Sequence, residues 1–185
     1  MKQTLRHTVA AVILAGLTLA GSAADATGKI DVKAVDHGSG KLKEVKAQGY
    51  IDAAPAKVWK VLTDYGAYQR FMPRMAQSTL DKRNGNMAIA TMKLSLPFPF
   101  QGTWYTNRYD ENPKAMSLTW RMLKGSIKTT TGGWTLKPQG KGTMAYYTVR
   151  TDIGAILIPK ILQDEATKRT VPAIFEAVEK RARSF

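Results

Sequence analysis

Apolar and polar positions alternate along most of the chain, and the period of that alternation changes twice. Leu42–Ile51 (LKEVKAQGYI) alternates in part and includes Val45 and Tyr50, which predicts a strand. Asp52-Ala53-Ala54-Pro55 then reads as a helix start, with Asp52 or a neighbour capping and Pro55 suited to the first turn. Val58, Trp59, Val61, Leu62 and Tyr65 follow at helical spacing. Gly66 breaks the run, residues 67–71 restart it and Pro73 stops it, so two short helices are expected.

From Met75 the period becomes two. Strands are expected at 75–82, 87–96, 100–109, 115–122, 127–137 and 143–151. The intervening segments carry turn chemistry, with Asn84-Gly85 the strongest hairpin signal. Met116, Leu118, Trp120 and Met122 fall on one face of their strand. Gly132-Gly133 inside the next strand predicts a bulge or sharp bend. A long helix is expected at 158–182, with Pro172 placed to kink it. Residues 27–41 are polar and read as an N-terminal arm or a short edge strand, and residues 42–185 as one domain. The expected fold is α+β: a curved seven-stranded antiparallel sheet around the C-terminal helix, with two short helices after strand one.

Six strands in an up-and-down meander must place alternate connections at opposite ends of the sheet. One end collects polar turns at 83–86, 110–114 and 138–142. The other collects RFMPRM, LPFPF, MLKGS and DIGAILIPK, which are apolar with Arg70, Arg74, Lys124 and Lys160 among them. Two readings stay open for this end. It is the mouth of a cavity and a surface for anionic membranes, with Phe71, Met72, Pro97, Phe98, Phe100, Lys124, Ile156, Leu157, Ile158 and Lys160 as contacts. Alternatively, its apolar side chains fold inward and complete the core.

Composition adds an address. Lys2 and Arg6 precede an apolar run from Val9 to Gly21, then small residues, the layout of a secretory signal peptide over 1–23, with cleavage after Ala23 or Ala26. The run is shorter than the roughly 20 residues of a spanning helix, which weighs against a membrane anchor. A periplasmic or secreted protein is expected. The formal charge of +14 suggests a polyanionic partner. Outside the cytoplasm that means an anionic lipid surface rather than nucleic acid. The alternative is a solvated, lysine-studded surface that serves solubility.

The segments APAKVWKVLTDYGAYQRFMPRM, LKGSIKTTTGGWTLKPQGKGTMAYYTV and IPKIL, in this order and spacing, resemble the START and Bet v 1-like (SRPBCC) superfamily. The similarity is to its polyketide cyclase-like or coenzyme Q-binding-like branch and spans about residues 42–183. It implies a helix-grip fold with a hydrophobic cavity between the sheet and the last helix. Members bind lipids, sterols, quinones, hormones or polyketides there, and a minority are enzymes. The expected cavity wall is Met92, Leu94, Trp104, Met116, Leu118, Trp120, Tyr147, Arg150, Ile161 and Leu162. LPFPF and LKGS match the gate and latch loops of the abscisic acid receptors, but LKGS lacks the polar latch residues of a hormone switch.

Candidate chemistry is sparse. There is no Cys, which removes thiolate nucleophiles and thiolate metal sites. His37, the one histidine after the expected leader, lies in the polar arm. No HExxH, GxSxG or P-loop pattern occurs. No catalytic residue, metal site or cofactor is expected. Arg108, Arg150 and Asp152 could face the interior and orient a polar head group, or pair outward; Tyr105, Tyr146 and Tyr147 could hydrogen-bond a ligand or pack. The expected protein is a monomeric carrier of a lipid, isoprenoid or sterol-like molecule. The alternatives are a polyketide cyclase-like enzyme and a non-catalytic accessory protein whose cavity its own side chains fill.

Overall fold

The computed structural model describes residues 30–36, 42–96, 98, 100–152 and 160–185; of 35–36, 42–43 and 160–168 it describes the backbone only. The strands are β1 (Asp31–Asp36), β2 (Leu42–Ile51), β3 (Met75–Asn84), β4 (Met87–Leu94), β5 (Trp104–Asn112), β6 (Ser117–Gly125), β7 (Thr129–Gln139) and β8 (Gly142–Asp152). The helices are α1 (Pro55–Leu62), a 3-10 helix (Tyr65–Arg70) and α2 (Lys160–Arg183). The strands form one antiparallel sheet in the order β1-β2-β8-β7-β6-β5-β4-β3. From β3 to β8 every strand pairs with its successor, and β8 closes onto β2.

Eight strands replace the expected seven. The segment DVKAVD pairs with β2 from Asp31↔Gln48 to Asp36↔Lys43. Of the two readings of this segment, arm or short edge strand, the structure shows the edge strand, with Val32 and the preceding Ile30 packed against the core. The expected leader and residues 27–29 and 37–41 of the arm, His37 included, lie outside the described residues.

The core lies between the inner face of the sheet and the helices. Val171, Phe175, Val178 and Ala182 of α2 are buried at i, i+4, i+7 and i+11, one stripe of a helix. They meet Val58, Val61 and Leu62 of α1 and the small inner residues Ala47, Ala88, Ala90 and Ala145 of the sheet. Phe175 packs on Trp134, with ring centroids 5.0 Å apart. The sequence of α2 runs through Pro172, whose ring removes one i→i−4 hydrogen bond.

Three local expectations change. Asp52 does not cap α1: Ala54 is the N-cap, without a side-chain hydrogen bond. Instead, the Asp52 backbone N–H donates to Glu179 (2.9 Å) and its carboxylate lies 3.6 Å from Arg183, tying the end of β2 to α2. Gly66 lies inside the 3-10 helix, and the break between helices falls at Thr63 and Asp64. Nor do Gly132 and Gly133 form a bulge. Both pair in register with β6 and β8. They are glycines because a Cβ at Gly132 would lie 2.3 Å from the Trp120 indole and 2.3 Å from the Thr148 carbonyl oxygen, and one at Gly133 2.8 Å from the Leu118 carbonyl oxygen.

Candidate functional site: a cavity beneath the C-terminal helix

Period-two alternation turns one set of side chains inward on each strand. On β4 these are Ala88, Ala90, Met92 and Leu94; on β5, opposite them, Tyr109, Asn107 and Tyr105. On β7 and β8 the paired inner positions are Thr130 with Thr151, Gly132 with Val149, and Trp134 with Tyr147. Between this inner face and α2 lies a cavity of about 570 Å³, roofed by Thr170, Val171 and Ile174 of α2. That volume falls in the usual range for small-molecule sites.

Of the expected wall residues, Met92, Leu94, Leu118, Trp120 and Tyr147 line this space. Three others do not. Trp104 belongs to the outer set of β5, since Tyr105, Asn107 and Tyr109 are the inner one. Met116 precedes β6 in a tight turn with φ of 48°, off the alternation that carries Leu118 and Trp120, and packs against the core from outside the cavity. Arg150 shares its face with Tyr146, Thr148 and Glu44, and its Nε donates to Glu44 Oε1 at 3.0 Å. Arg108 likewise points outward and forks onto Asp110 at 2.7–3.1 Å. Asp152 is buried 3.3 Å from the Lys128 ammonium. The side chains of Ile161 and Leu162 lie outside the described residues.

Loop segments rim one end. Met72 and Met75, then Leu96, Phe100, Gln101, Gly102 and Thr103, then Ser126 and Ile127 all line it. Backbone bonds hold these connections together: Ser95 N–H donates to the Arg74 carbonyl (2.8 Å), and Ser126 N–H to the Trp104 carbonyl (2.9 Å). Here the two readings of the apolar end divide residue by residue. Phe100 faces the cavity, and Phe71 is partly buried edge-on to Tyr68, with centroids 5.7 Å apart. Phe98 is 83% exposed. Lys124 is exposed on the outer face, because Leu123 is an extra residue in the β5–β6 register and shifts the alternation. Pro97, Ile156, Leu157, Ile158 and the side chain of Lys160 lie outside the described residues.

Electrostatically the lining is neutral: among its described residues there is no Asp, Glu, Lys, Arg or His. Its polar groups are tyrosines, threonines, Ser126, Gln101 and Asn107. Burial raises the Tyr105 phenol to about 12, and pushes Tyr109 and Tyr147 above the ordinary tyrosine value, with repulsion from Tyr105 adding to the effect on both. At neutral pH these phenols are fully protonated. They are hydrogen-bonding groups, not bases. Among the described residues no cluster of three His, Cys, Asp or Glu is placed to hold a metal ion.

Sequence reading passed over Asn107 and Tyr109. Their signal was the parity of β5: with Tyr105 inward, both must follow.

A family model described as polyketide cyclase/dehydrase and lipid transport matches residues 43–182. Among solved structures, the chain is similar to a STAR-related lipid transfer protein from Xanthomonas axonopodis, with 24% identity and a TM-score of 0.67 over 83% of this chain and 93% of that one. The ZhuI aromatase/cyclase from Streptomyces sp. R1128 has 18% identity and a TM-score of 0.65, over 77% and 94%. Human STARD10 has 10% identity and a TM-score of 0.68, over 84% and 70%. At these identities the likeness concerns the fold. No curated protein matches the chain.

Proposed function

The chain belongs to the polyketide cyclase/dehydrase and lipid transport family, and from that premise we propose that it is an exported carrier of a hydrophobic small molecule. The family covers both hydrophobic-ligand carriers and cyclases. One observation favours a carrier: the cavity of about 570 Å³ is lined mainly by apolar and aromatic groups, with no formal charge among its described residues. Its phenols sit too high to trade protons near neutrality. Binding would be driven by removing apolar ligand surface from water, about 25 cal/mol per Å². The cyclase reading would instead need turnover of a polyketide-like substrate.

Export rests on the leader-like residues 1–23, and an anionic membrane is the proposed docking partner. The exposed Phe98 would enter the head-group boundary, while Arg70, Arg74 and Lys124, all exposed, meet lipid phosphates.

Native mass spectrometry and lipid extraction of protein purified from its own envelope are expected to find one class of apolar molecule at a fixed ratio. Consistently empty protein would sink the carrier reading. For docking, Phe98→Ala is expected to lower partitioning onto vesicles containing anionic lipid by roughly tenfold or more, the scale of losing one buried aromatic side chain. Unchanged flotation of the variant would remove the membrane from the account and leave the cavity untouched.

A further inference from the structure

Most of the cavity's polar groups already have partners within the protein. The Thr151 hydroxyl donates to Thr130 Oγ1 at 3.2 Å, and the Thr103 hydroxyl donates to the Phe100 carbonyl at 2.7 Å. Asn107 is the one whose unpaired atom is fully buried, among the described residues. It is 2% exposed, lines the cavity and is flanked on β5 by Tyr105 and Tyr109. Its Nδ2 donates to the Tyr109 hydroxyl at 3.4 Å, a long bond, and its Oδ1 is buried with no partner at all. Turning the amide over would exchange an orphan acceptor for an orphan donor. In either orientation one polar atom is removed from water without compensation, which costs about as much as a lost hydrogen bond.

The surroundings narrow what could answer it. The hydroxyls of Tyr105 and Tyr147 make no hydrogen bond among the described residues, and both side chains line the cavity. Tyr105 and Tyr109 flank Asn107 on the inner face of β5, the Asn107 amide reaches the Tyr109 hydroxyl, and Tyr147 lines the same cavity from β8. An unpaired amide oxygen asks for a donor, and the protonated phenols ask for an acceptor. One small group is both at once, a hydroxyl. A carboxylate would find no cation among the described lining residues.

We propose that the cavity selects a neutral, apolar ligand bearing a hydroxyl group, which seats on Asn107 with Tyr105 and Tyr147. The proposal rests on the carrier reading and specifies the ligand's polar end. The orphan atom of the Asn107 amide and the free phenols hydrogen-bond the hydroxyl at the seat, and the aromatic wall of Trp120, Trp134 and Tyr147 holds the apolar body.

The test uses three probes of equal chain length, decan-1-ol, decane and decanoate, each displacing a fluorescent apolar dye from the purified protein. Wild type is expected to bind the alcohol about tenfold more tightly than the alkane, one buried hydrogen bond's worth, with decanoate weakest. Asn107→Leu is expected to bring alcohol and alkane within about twofold of each other while alkane binding persists. Tyr105→Phe, which removes only one oxygen, is expected to narrow the ratio by a few fold and guards against a misfolded Asn107 variant. Equal affinity for alcohol and alkane in wild type would overturn the hydroxyl seat and leave the carrier reading standing. Tighter binding of decanoate than of decanol would overturn the neutral assignment. If none of the three displaces the dye, the carrier reading itself fails, and the seat with it.

Discussion

Raising the pH above about 10 is expected to unfold this protein steeply, before its tyrosines titrate one by one. Tyr65, Tyr68 and Tyr109 are buried, and burial is the largest reason each phenol holds its proton above the ordinary value of 10.0. Glu111, which accepts a hydrogen bond from the Tyr65 hydroxyl at 2.9 Å, adds to the effect there. The folded-state values lie above the unfolded one. Below pH 10 both states are protonated and nothing is lost; above it the unfolded chain releases protons that the folded chain keeps, so stability falls as pH rises. Each such group costs about 1.4 kcal/mol per pH unit, so three cost about 4 kcal/mol per unit, against a total stability typically of 5–15 kcal/mol. Tyr105, raised to about 12, and Tyr147 add a smaller share because they face the cavity. Tyrosinate absorbance and circular dichroism recorded together should change in one cooperative step. Gradual ionisation near pH 10 with the fold intact would contradict it. Tyr147→Phe should move the midpoint upward.

Those same tyrosines show how far the sequence could be read. β2 was legible to the residue, because Val45, Ala47, Gly49 and Ile51 alternate with polar neighbours on a strand paired on both sides. The meander followed from turn chemistry, and with it the gathering of apolar loops at one end. Leu118, Trp120 and Tyr147 followed from alternation, and Met92 and Leu94 from one face of β4. Errors arose where residue type outweighed parity. Tyr147 and Arg150 are three apart on one strand, so they cannot share a face, and β8 sends Arg150 outward to Glu44. Trp104 looked like a wall because it is large, yet its inner neighbour Tyr105 holds that place. Asn107 escaped notice for the opposite reason. A polar residue at an inward position reads as a solvated strand position until the sheet curls around it. For β1 the sequence left two readings, arm or edge strand, because its few apolar positions, Val32 among them, are too short a pattern to decide.

Gly132→Ala is expected to destabilise the protein by about 3 kcal/mol or more, at or beyond the upper end of ordinary overpacking. Alanine is normally a mild change in a strand, and often favourable, because it lowers the entropy of the unfolded chain. Here the added methyl would lie 2.3 Å from the Trp120 Cζ2 and 2.3 Å from the Thr148 carbonyl oxygen. The indole could rotate away, but only into the cavity it lines, where its ring already neighbours Tyr109 and Tyr147 at 6.4 and 5.9 Å. The carbonyl belongs to β8, which is paired on both sides and cannot retreat without opening the sheet. The two clashes separate in a double-mutant cycle by urea denaturation. Trp120→Ala removes the first obstacle and leaves the second, so the double variant should be more stable than the sum of the single changes predicts, yet still less stable than Trp120→Ala alone. Strict additivity would mean that the indole is not what Gly132 makes room for. A Gly132→Ala protein within about 0.5 kcal/mol of wild type, the range of a neutral surface substitution, would mean the close approach of β7 to β8 is not required. The surviving folded fraction should bind an apolar dye more weakly, because the space freed at Gly132 in the wild type is what keeps Trp120 against the wall rather than across the cavity.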